Sequence, residues 1–425
     1  MTASPVTIPA HLPRRLTTTL WDFSWYTQTA PGEPYHDLDQ VFAESVERGY
    51  NTIRICAAPI LLFGEHDLAT DALRFGNLGG EVGQKTRWYD AAGGQVIDLT
   101  ARFLELFQLA RKHDVYVIVS SWEFQQSSAF LETPEWFEML DAIEPGTRLA
   151  ALARAQSRLI SFLKEHGLDD RIAYVELHNE LDLSLFGTKG FWKRDDFWAM
   201  KPVTADALRI LETEHPDILR TVCYGVPPYL DMESIPENVQ VAHQHVYAYG
   251  VLRELVDWSQ LYGADNYPTD ELRSLLLPDA PELADYGNEI EPWRLQATII
   301  RREQLYAYDW ADPIKWDRWL YRNYARHELA MQQAIDNRLR GIAYWAERHG
   351  VPVVIGEGWI GYTPLDCDFE DGPIGQEIAT AAVRKCIELG FWGTLTGSNR
   401  APVHPAWADV EFQRRLNDEF LASAD

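Results

Sequence analysis

Several features that would assign a protein to a particular class are missing from this sequence. No run approaches the eighteen or so apolar residues that span a bilayer, and the N-terminal segment lacks the continuous apolar stretch of a signal peptide. Internal repeats, low-complexity tracts and Gly/Ser-rich linkers are also absent. We therefore expect one elaborated domain over residues 1–425, no membrane partner and a cytoplasmic location.

Cysteine is scarce, with 4 residues in a chain of 425. The four cysteines are far apart and show no paired spacing of the kind that binds zinc. They are Cys56, Cys223, Cys367 and Cys386. We predict reduced, structural thiols, no disulfide framework, no metal site and no other cofactor.

Positive charge is also scarce, because 38 Lys and Arg stand against 64 Asp and Glu, which gives a formal net charge of -26. No cluster of basic residues exists that could gather a phosphate backbone, so a nucleic acid partner is excluded. Acidity of this kind keeps a protein in solution and identifies no specific partner. It leaves the oligomeric state open.

Aromatic residues are abundant by comparison, with 16 Trp in the chain. The faces of Trp and Tyr stack on the apolar C–H faces of sugars, although most aromatic side chains in any protein fill the core. The composition is therefore compatible with a carbohydrate partner without identifying one.

Short apolar or β-branched runs alternate with amphipathic stretches along the whole chain. Eight runs are predicted strands: 17–23, 51–57, 115–121, 172–178, 220–225, 239–245, 351–357 and 391–397. Helical periodicity is clearest in 37–49, 99–113, 147–167, 320–350 and 375–390. Several of these patterns end at Gly immediately before the next strand, as at Gly49 and Gly350. Eight such units predict a (β/α)8 TIM barrel, an α/β fold whose reacting groups lie at the carboxyl ends of the strands.

One connection is too long for a simple barrel, because about a hundred residues separate the sixth strand from the seventh. This segment is rich in Trp and Tyr, and long connections in compact domains usually form lids or subdomains. We predict that residues 248–330 form an insertion, or cap subdomain, beside the mouth of the barrel.

Two glutamates occupy equivalent positions at the ends of predicted strands. The fourth strand runs into Asn179 and Glu180, and the seventh ends in Glu357 between two glycines. Both carboxylates would therefore lie on the catalytic rim. A pair of carboxyl groups, one protonated and one ionised, is what glycoside hydrolysis requires.

These motifs resemble the cellulase-like glycoside hydrolases of clan A, and family five in particular. The sequence Glu176–Glu180 is similar to that family's Glu-Leu-x-Asn-Glu-Pro signature, with Leu181 in place of the proline. The run into Gly356 and Glu357 matches the family's seventh strand. The resemblance implies that Glu180 is the general acid/base and Glu357 the nucleophile of a retaining double displacement.

The resemblance also implies roles for residues that bind the substrate or the nucleophile. Asn179 would bind the sugar hydroxyl next to the anomeric carbon, Arg54 would keep the nucleophile ionised, and His245 and Tyr247 match a His-x-Tyr motif on the sixth strand. The Trp that commonly lies on the eighth strand has no clear equivalent, since Trp392 comes early in its run. Further candidates for substrate binding lie near strand ends: Trp122, Glu123, His178, Trp359 and Asn399.

Other interpretations remain open at several of these positions. Glu180 could be a solvated carboxylate at a helix start, and Arg54 could form a core ion pair with Glu176, which we interpret as buried. His243 and His245 share one strand face and could hold a metal, but no acidic or cysteine partner at suitable spacing supports that, so hydroxyl binding is preferred. Glu123 could be solvated.

The sequence as a whole predicts a retaining glycosidase that cuts a small glycoside or oligosaccharide, from one end, in a cavity narrowed by the insertion. A sugar-binding protein that has lost turnover is the main alternative. A metal-dependent reaction on the same barrel is a third possibility. The sugar, its linkage and its anomer stay undetermined at this stage.

Overall fold

Eight parallel strands form the centre of the structure, a computed structural model that describes residues 5–188, 196–225 and 231–424. They are β1 (Leu16–Asp22), β2 (Thr52–Cys56), β3 (Tyr116–Ser120), β4 (Ile172–Glu176), β5 (Arg220–Thr221), β6 (Ala242–Tyr247), β7 (Val353–Trp359) and β8 (Gly393–Thr394). Their order in the sheet is β5-β4-β3-β2-β1-β8-β7-β6. Each of the eight predicted strands therefore exists, and strands that follow one another in the sequence pair except at the junction of β5 and β6.

Hydrogen bonds between the first and last strands of this order bring the sheet round into a barrel. The Gln240 amide donates to the Arg220 carbonyl at 2.9 Å, and the Thr221 hydroxyl donates to the Val241 carbonyl at 2.5 Å. With helices between successive strands, this arrangement confirms the predicted TIM barrel.

The helices follow the strands in the order that the barrel requires. They are α1 (Ser24–Thr27), α2 (Leu38–Glu47), α3 (Pro59–Phe63), α4 (Leu99–Lys112), α5 (Glu135–Ala142), α6 (Arg148–Glu165), α7 (Leu185–Thr188), α8 (Phe197–Glu214), α9 (Gly250–Ser259), α10 (Asp270–Arg273), α11 (Pro292–Gln296), α12 (Arg302–Asp309), α13 (Pro313–Tyr324), α14 (Glu328–His349), α15 (Pro373–Glu388) and α16 (Val410–Ala422). Short 3-10 turns are interspersed, and the one at Leu181–Leu183 follows β4.

Helix ends agree with the sequence signals in most places. Asp37 and Asp98 accept hydrogen bonds from the first turns of α2 and α4, and Gly350 ends α14 with a φ of 65°. The single helix predicted over 320–350 is wrong, because the chain turns between α13 and α14. At that turn Arg326 and His327 both contact Glu254 of α9.

Apolar side chains close the amino-terminal end of the barrel. Leu16, Tyr174, Val354 and Trp392 belong to one buried cluster there, and the indole of Trp392 donates to the Pro13 carbonyl at 3.0 Å. Trp392 is therefore at the closed end of the barrel and far from its catalytic rim, in accordance with its early position in the eighth strand.

Two long segments cover the carboxyl ends of the strands. Residues 248–330 contain α9 to α13 and lie at the mouth of the barrel, where several of their side chains line its cavity. The second segment, which the sequence analysis did not single out, connects β2 to α4 and carries α3 and a hairpin of Leu73–Phe75 with Gln95–Ile97. That 248–330 is a separate subdomain stays a prediction.

All four cysteines are free and buried, as predicted. Among the described residues, no helix is long and apolar enough to cross a membrane.

The close packing of β6 against β7 yields a prediction about stability. A Cβ atom at Gly356 would lie 1.9 Å from Nε2 of the buried His243 side chain, so Gly356→Ala forces strands or side chains apart. Overpacking of this kind costs about 1–3 kcal/mol, and we expect the urea midpoint of unfolding to fall accordingly. Gly76→Ala is the control, because its nearest neighbour would be 3.7 Å away; equal midpoints for the two variants would contradict the packing described.

Candidate active site

A cavity of about 490 Å³ opens at the carboxyl ends of the strands. Its walls come from the barrel, from the segment after β2 and from the 248–330 segment. Four of the eleven predicted site residues line it, namely Asn179, Glu180, Tyr247 and Glu357. A volume of this size is typical of pockets that enclose a small organic ligand.

Glu180 is held at the cavity by an unusual backbone conformation. It has a φ of 43°, in the left-handed region that a residue with a side chain rarely adopts, and it precedes the 3-10 turn Leu181–Leu183. Gly225 packs directly behind it, since a Cβ there would lie 2.9 Å from Cδ of Glu180. The carboxylate accepts hydrogen bonds from His245 Nδ1 at 2.9 Å and from Gln125 Nε2 at 3.3 Å.

Glu357 lies almost fully buried on β7 and has both carboxylate oxygens occupied. Arg54 donates to Oε1 at 2.8 Å. Tyr247 and Tyr362 donate to Oε2 at 2.7 Å and 3.0 Å. Among the described residues, one carboxylate oxygen of Glu357, one of Glu180 and a ring nitrogen of His245 lie within 4.8 Å of one another.

The surroundings of Glu357 favour its ionised form. Burial alone would raise the pKa of this carboxyl, but the charges of His245 and Arg54 and the hydrogen bond from Tyr247 outweigh it and lower the pKa to about 2. Glu357 is therefore a carboxylate at neutral pH. It is aimed at the same space as Glu180.

Arg54, at the centre of β2, joins three strand ends beneath the cavity. Its guanidinium donates to both oxygens of Glu176 at 2.7 Å and 2.8 Å, to Glu357 at 2.8 Å and to Oδ1 of Asn179 at 2.6 Å. Two alternatives were open for Arg54, a partner of the nucleophile or a core ion pair with Glu176. The structure shows both contacts. The amide of Asn179 is fixed from the other side, where it donates to Gln125 at 2.7 Å.

His245 bridges the two carboxylates that line the cavity. Its Nδ1 hydrogen-bonds Glu180, and its Nε2 lies 3.6 Å from Oε1 of Glu357. Burial alone would lower the pKa of His245, but the neighbouring Glu357 and Glu180 raise it. These two carboxylates therefore favour the protonated form of the imidazole that lies between them.

The structure brings Cys223 close to His243 and His245, a neighbour that the sequence spacing did not reveal. Within the described part of the chain, Cys223, His243 and His245 each place a potential metal ligand within 4.8 Å of the others. These donors adjoin the Arg54 guanidinium, which lowers the pKa of His243 further after burial. A dication there would be repelled by Arg54, so the donor set fits a metal poorly.

Three predicted residues near β3 and β4 lie outside the cavity lining. His178 is fully buried, with Nδ1 on the Asn179 carbonyl at 2.6 Å and Nε2 accepting the Phe124 amide at 3.2 Å, and burial lowers its pKa to about 3. Trp122 packs under Arg54, with 4.5 Å between the guanidinium carbon and the ring centre. Both residues support the site from behind.

Glu123 is also committed to the protein itself. Its carboxylate accepts the backbone amides of Ile60 and Leu61 at 3.0 Å and 2.8 Å, at the start of α3. It is completely buried, and burial raises its pKa to about 7. Neither sugar binding nor solvation, the two roles considered from the sequence, agrees with this position.

Trp359 and Asn399 line a separate water-sized cavity of about 20 Å³. Asn399 accepts a hydrogen bond from Arg87 at 3.2 Å and donates to the buried Glu370. These two predicted residues are therefore next to the site, and Asn399 contacts it through Arg87.

Arg87 and Tyr362 belong to the site although no sequence signal drew attention to them. Tyr362 contacts both Glu357 and Tyr247, and Arg87 donates to the Tyr362 hydroxyl at 2.9 Å. The Arg87 guanidinium also lies 4.1 Å from the ring centre of Trp88, another residue of the cavity wall. All three come from irregular segments, where periodicity predicts nothing.

The 248–330 segment contributes a wall of tyrosines. Tyr249 and Tyr262 are 40% and 41% exposed, and Tyr308 is buried behind them. Arg253 and Arg301 continue this wall. The richness of the segment in aromatic residues was the available signal, but it could not distinguish the cavity-lining rings from those that pack its core.

Comparison with known proteins agrees with this geometry. A protein-family model described as "Cellulase-like: Sugar-binding cellulase-like" matches residues 18–196, which include β1 to β4 and the Asn179–Glu180 pair. No curated protein sequence matches the chain.

Among solved structures, a putative glycoside hydrolase from Parabacteroides distasonis ATCC 8503 superimposes with a TM-score of 0.67 at 18% identity, over 96% of this chain and 94% of that one. Weaker similarities include the exo-β-1,4-mannosidase Op5Man5 from Opitutaceae bacterium strain TAV5, with a TM-score of 0.47, 13% identity and coverage of 100% of this chain and 62% of that one. The endo-1,4-β-D-mannanase of Thermotoga petrophila RKU-1 superimposes with a TM-score of 0.46 at 13% identity, over 96% of this chain and 99% of that one. The family model supports the predicted resemblance to cellulase-like proteins over residues 18–196, and the Parabacteroides structure shows that a putative glycoside hydrolase of the same fold exists.

Proposed function

We propose that the protein is a retaining glycoside hydrolase in which Glu357 is the nucleophile and Glu180 the general acid/base. One observation carries the proposal: the two carboxylates, from strands far apart in the sequence, approach within 4.8 Å across one cavity. Retaining enzymes place their carboxyl groups about 5–5.5 Å apart, whereas inverting enzymes need about 6.5–9.5 Å to admit a water. The observed approach favours retention.

The two displacements follow from the roles we assign to the pair. Glu357, ionised by Arg54 and Tyr247, attacks the anomeric carbon while the bond to the leaving oxygen breaks and Glu180 gives that oxygen a proton. In the second step Glu180 takes a proton from water, the water oxygen bonds to the anomeric carbon, and the ester to Glu357 breaks. His245, hydrogen-bonded to Glu180, is the neighbour through which that proton can be shared.

Asn179 is the residue we assign to the hydroxyl next to the anomeric carbon. Its amide is fixed by Arg54 on one side and by Gln125 on the other, so it can present a hydrogen-bonding edge without reorganisation. Tyr249 and Tyr262 provide the exposed aromatic faces against which a sugar ring can stack.

We further propose that the substrate is a short glycoside, cut from one end. The tyrosine wall of the 248–330 segment narrows one side of the cavity, and Arg87 and Trp88 form another side. A long polysaccharide crossing the barrel mouth would have to displace these side chains. The proposed reaction needs no cofactor.

A non-catalytic sugar-binding protein is the second candidate, because the matching family model carries the description "Sugar-binding cellulase-like". Binding alone would not require an ionised carboxylate within reach of a second carboxyl group. The experiments below separate the two functions.

The ionisation of Glu357 can be tested without a substrate. Its folded pKa of about 2 lies below the ordinary value of 4.5, so its charge stabilises the fold above about pH 4.5 and this contribution is lost as the pH falls toward 2. In carboxyl-carbon NMR of Glu-labelled protein, we expect the Glu357 signal not to titrate down to about pH 3. Tyr247→Phe removes a hydrogen-bond donor to Glu357, so it should raise the titration midpoint of Glu357, whereas Tyr249→Phe should leave that midpoint unchanged. A Glu357 midpoint near 4.5 in the native protein would contradict the described surroundings of this carboxylate.

Turnover is tested with a panel of aryl glycosides covering common sugars and both anomers. We expect the native protein to hydrolyse at least one glycoside of the panel. Glu357→Gln should lower kcat by about 10³-fold or more. Proton NMR should show that the anomer formed first has the same configuration as the substrate. Glu180→Gln should retain its first step for a dinitrophenyl leaving group, which needs no proton, and lose it for poorer leaving groups.

The matched control is Glu271→Gln, an exposed glutamate of the 248–330 segment that lines neither the catalytic cavity nor its neighbour, and it should change kcat little. Inversion of configuration would contradict the proposed mechanism. Sugar binding without hydrolysis of any glycoside would establish the second candidate instead.

A further inference from the structure

We propose that a second cavity beside the catalytic one binds an apolar leaving group, so that the substrate is the glycoside of a hydrophobic alcohol or phenol. This inference rests on the proposed function, because it assigns the leaving-group side of the same site. The second cavity has a volume of about 470 Å³. It lies between the 3-10 turn that follows Glu180 and residues 295–303.

The two cavities meet at a common boundary. Leu183, Ile299, Ile300 and Arg301 belong to the lining of both. The two cavities are therefore adjacent, and our proposal is that a ligand in the catalytic cavity extends past these four residues into the second one. The space is large enough for a leaving group of several carbon atoms.

The second cavity lies on the side of the acid/base. Leu183 belongs to the turn that begins at Glu180, and its amide donates to the Glu180 carbonyl at 2.9 Å. Glu357, Arg87 and Tyr362 line the catalytic cavity and do not line the second one. Since Glu180 protonates the oxygen that departs, the group attached to that oxygen points toward Leu183 and the second cavity.

The polar side chains of the second cavity are already bonded to the protein. Asp182 accepts the Gly225 amide at 2.7 Å, Ser184 donates to the Leu181 carbonyl at 2.7 Å, and Thr298 accepts the Ile300 amide at 3.2 Å.

Arg302 is committed in the same way, because it donates to the carbonyls of Leu283 and Tyr286. Arg301 and Glu303 are the remaining charged residues of the described lining, and they are exposed and half-buried respectively. Among the described side chains of this lining, Arg301 and Glu303 are the ones left to bind a sugar, so burying its other hydroxyls here would cost free energy.

Polar and apolar groups both line the second cavity, and its apolar part is aliphatic. Its described lining includes five aliphatic side chains and no aromatic ring, namely Leu183, Leu185, Leu295, Ile299 and Ile300. The catalytic cavity, by contrast, contains six aromatic residues. Sugars favour aromatic faces with free hydrogen-bonding groups, whereas an alkyl or aryl group gains simply by leaving water. The difference between the two linings assigns the sugar to the first and the apolar group to the second.

A series of alkyl glycosides tests the assignment. Methyl, n-butyl and n-hexyl glycosides of the sugar selected by the aryl panel differ little in the acidity of their alcohols, so the chemical step is nearly constant. We expect kcat/KM to rise by up to about fourfold for each added methylene until the cavity is filled, and to exceed the value for disaccharides of the same sugar. A flat series, or a preference for the disaccharides, would overturn the proposal.

Leu295→Gln provides the variant, since Leu295 lines the second cavity alone. We expect Leu295→Gln to reduce the increase of kcat/KM with alkyl chain length and to leave kcat/KM for the methyl glycoside unchanged. Leu277→Gln is the matched control, because Leu277 is exposed and lines neither cavity. An identical slope in the two variants would count against the assignment.

A readout that needs no turnover distinguishes failure of this inference from failure of the proposed function. Weak binding of 1-hexanol, followed by NMR line broadening, should occur in the native protein and be reduced by Leu295→Gln but not by Leu277→Gln. If no glycoside is hydrolysed yet this pattern is seen, the proposed hydrolysis fails and the apolar site stands. If hexanol binding is absent or insensitive to Leu295→Gln, the apolar site is wrong whatever the protein hydrolyses.

Discussion

One buried guanidinium organises the site. Arg54 is completely inaccessible to solvent, and its donors are divided among Glu176, Glu357 and Asn179. Burying a charge is unfavourable unless partners surround it, and removing one partner leaves the others uncompensated. The carboxyl ends of β2, β4 and β7 are therefore tied to one another by electrostatics as well as by the barrel's hydrogen bonds.

This network also assigns unequal tasks to the two glutamates of the cavity. Glu357 faces Arg54, His245 and two tyrosine hydroxyls, all of which favour its ionised form. Among the described side chains, Glu180 has Gln125 and His245 as hydrogen-bond partners, and it is partly open to the cavity. The surroundings of Glu357 suit a group that attacks as a carboxylate, and the position of Glu180 at the open cavity suits a group that exchanges protons with substrate and water. Gly225 leaves room for the side chains of Glu180 and Leu183.

Much of the fold and part of the site could be predicted from the sequence, and there are physical reasons why the rest could not. The eight apolar runs are fully buried strands, so their hydrophobicity was a strong signal, and Asn179, Glu180 and Glu357 could be placed because they follow those strands directly. His178 was misplaced because β4 ends at Glu176, beyond which alternation no longer sets side-chain direction. Arg87 and Tyr362 come from irregular connections, whose positions depend on tertiary packing alone.

The central claim is that Glu357 bonds to the anomeric carbon, and trapping that bond tests it most directly. A 2-deoxy-2-fluoro glycoside with a dinitrophenyl leaving group, in the sugar that the protein accepts, should react once and make the glycosyl-enzyme long-lived. Peptide mass spectrometry should then find one glycosyl unit attached to Glu357. An adduct on another residue, or steady hydrolysis with no adduct at all, would contradict the account.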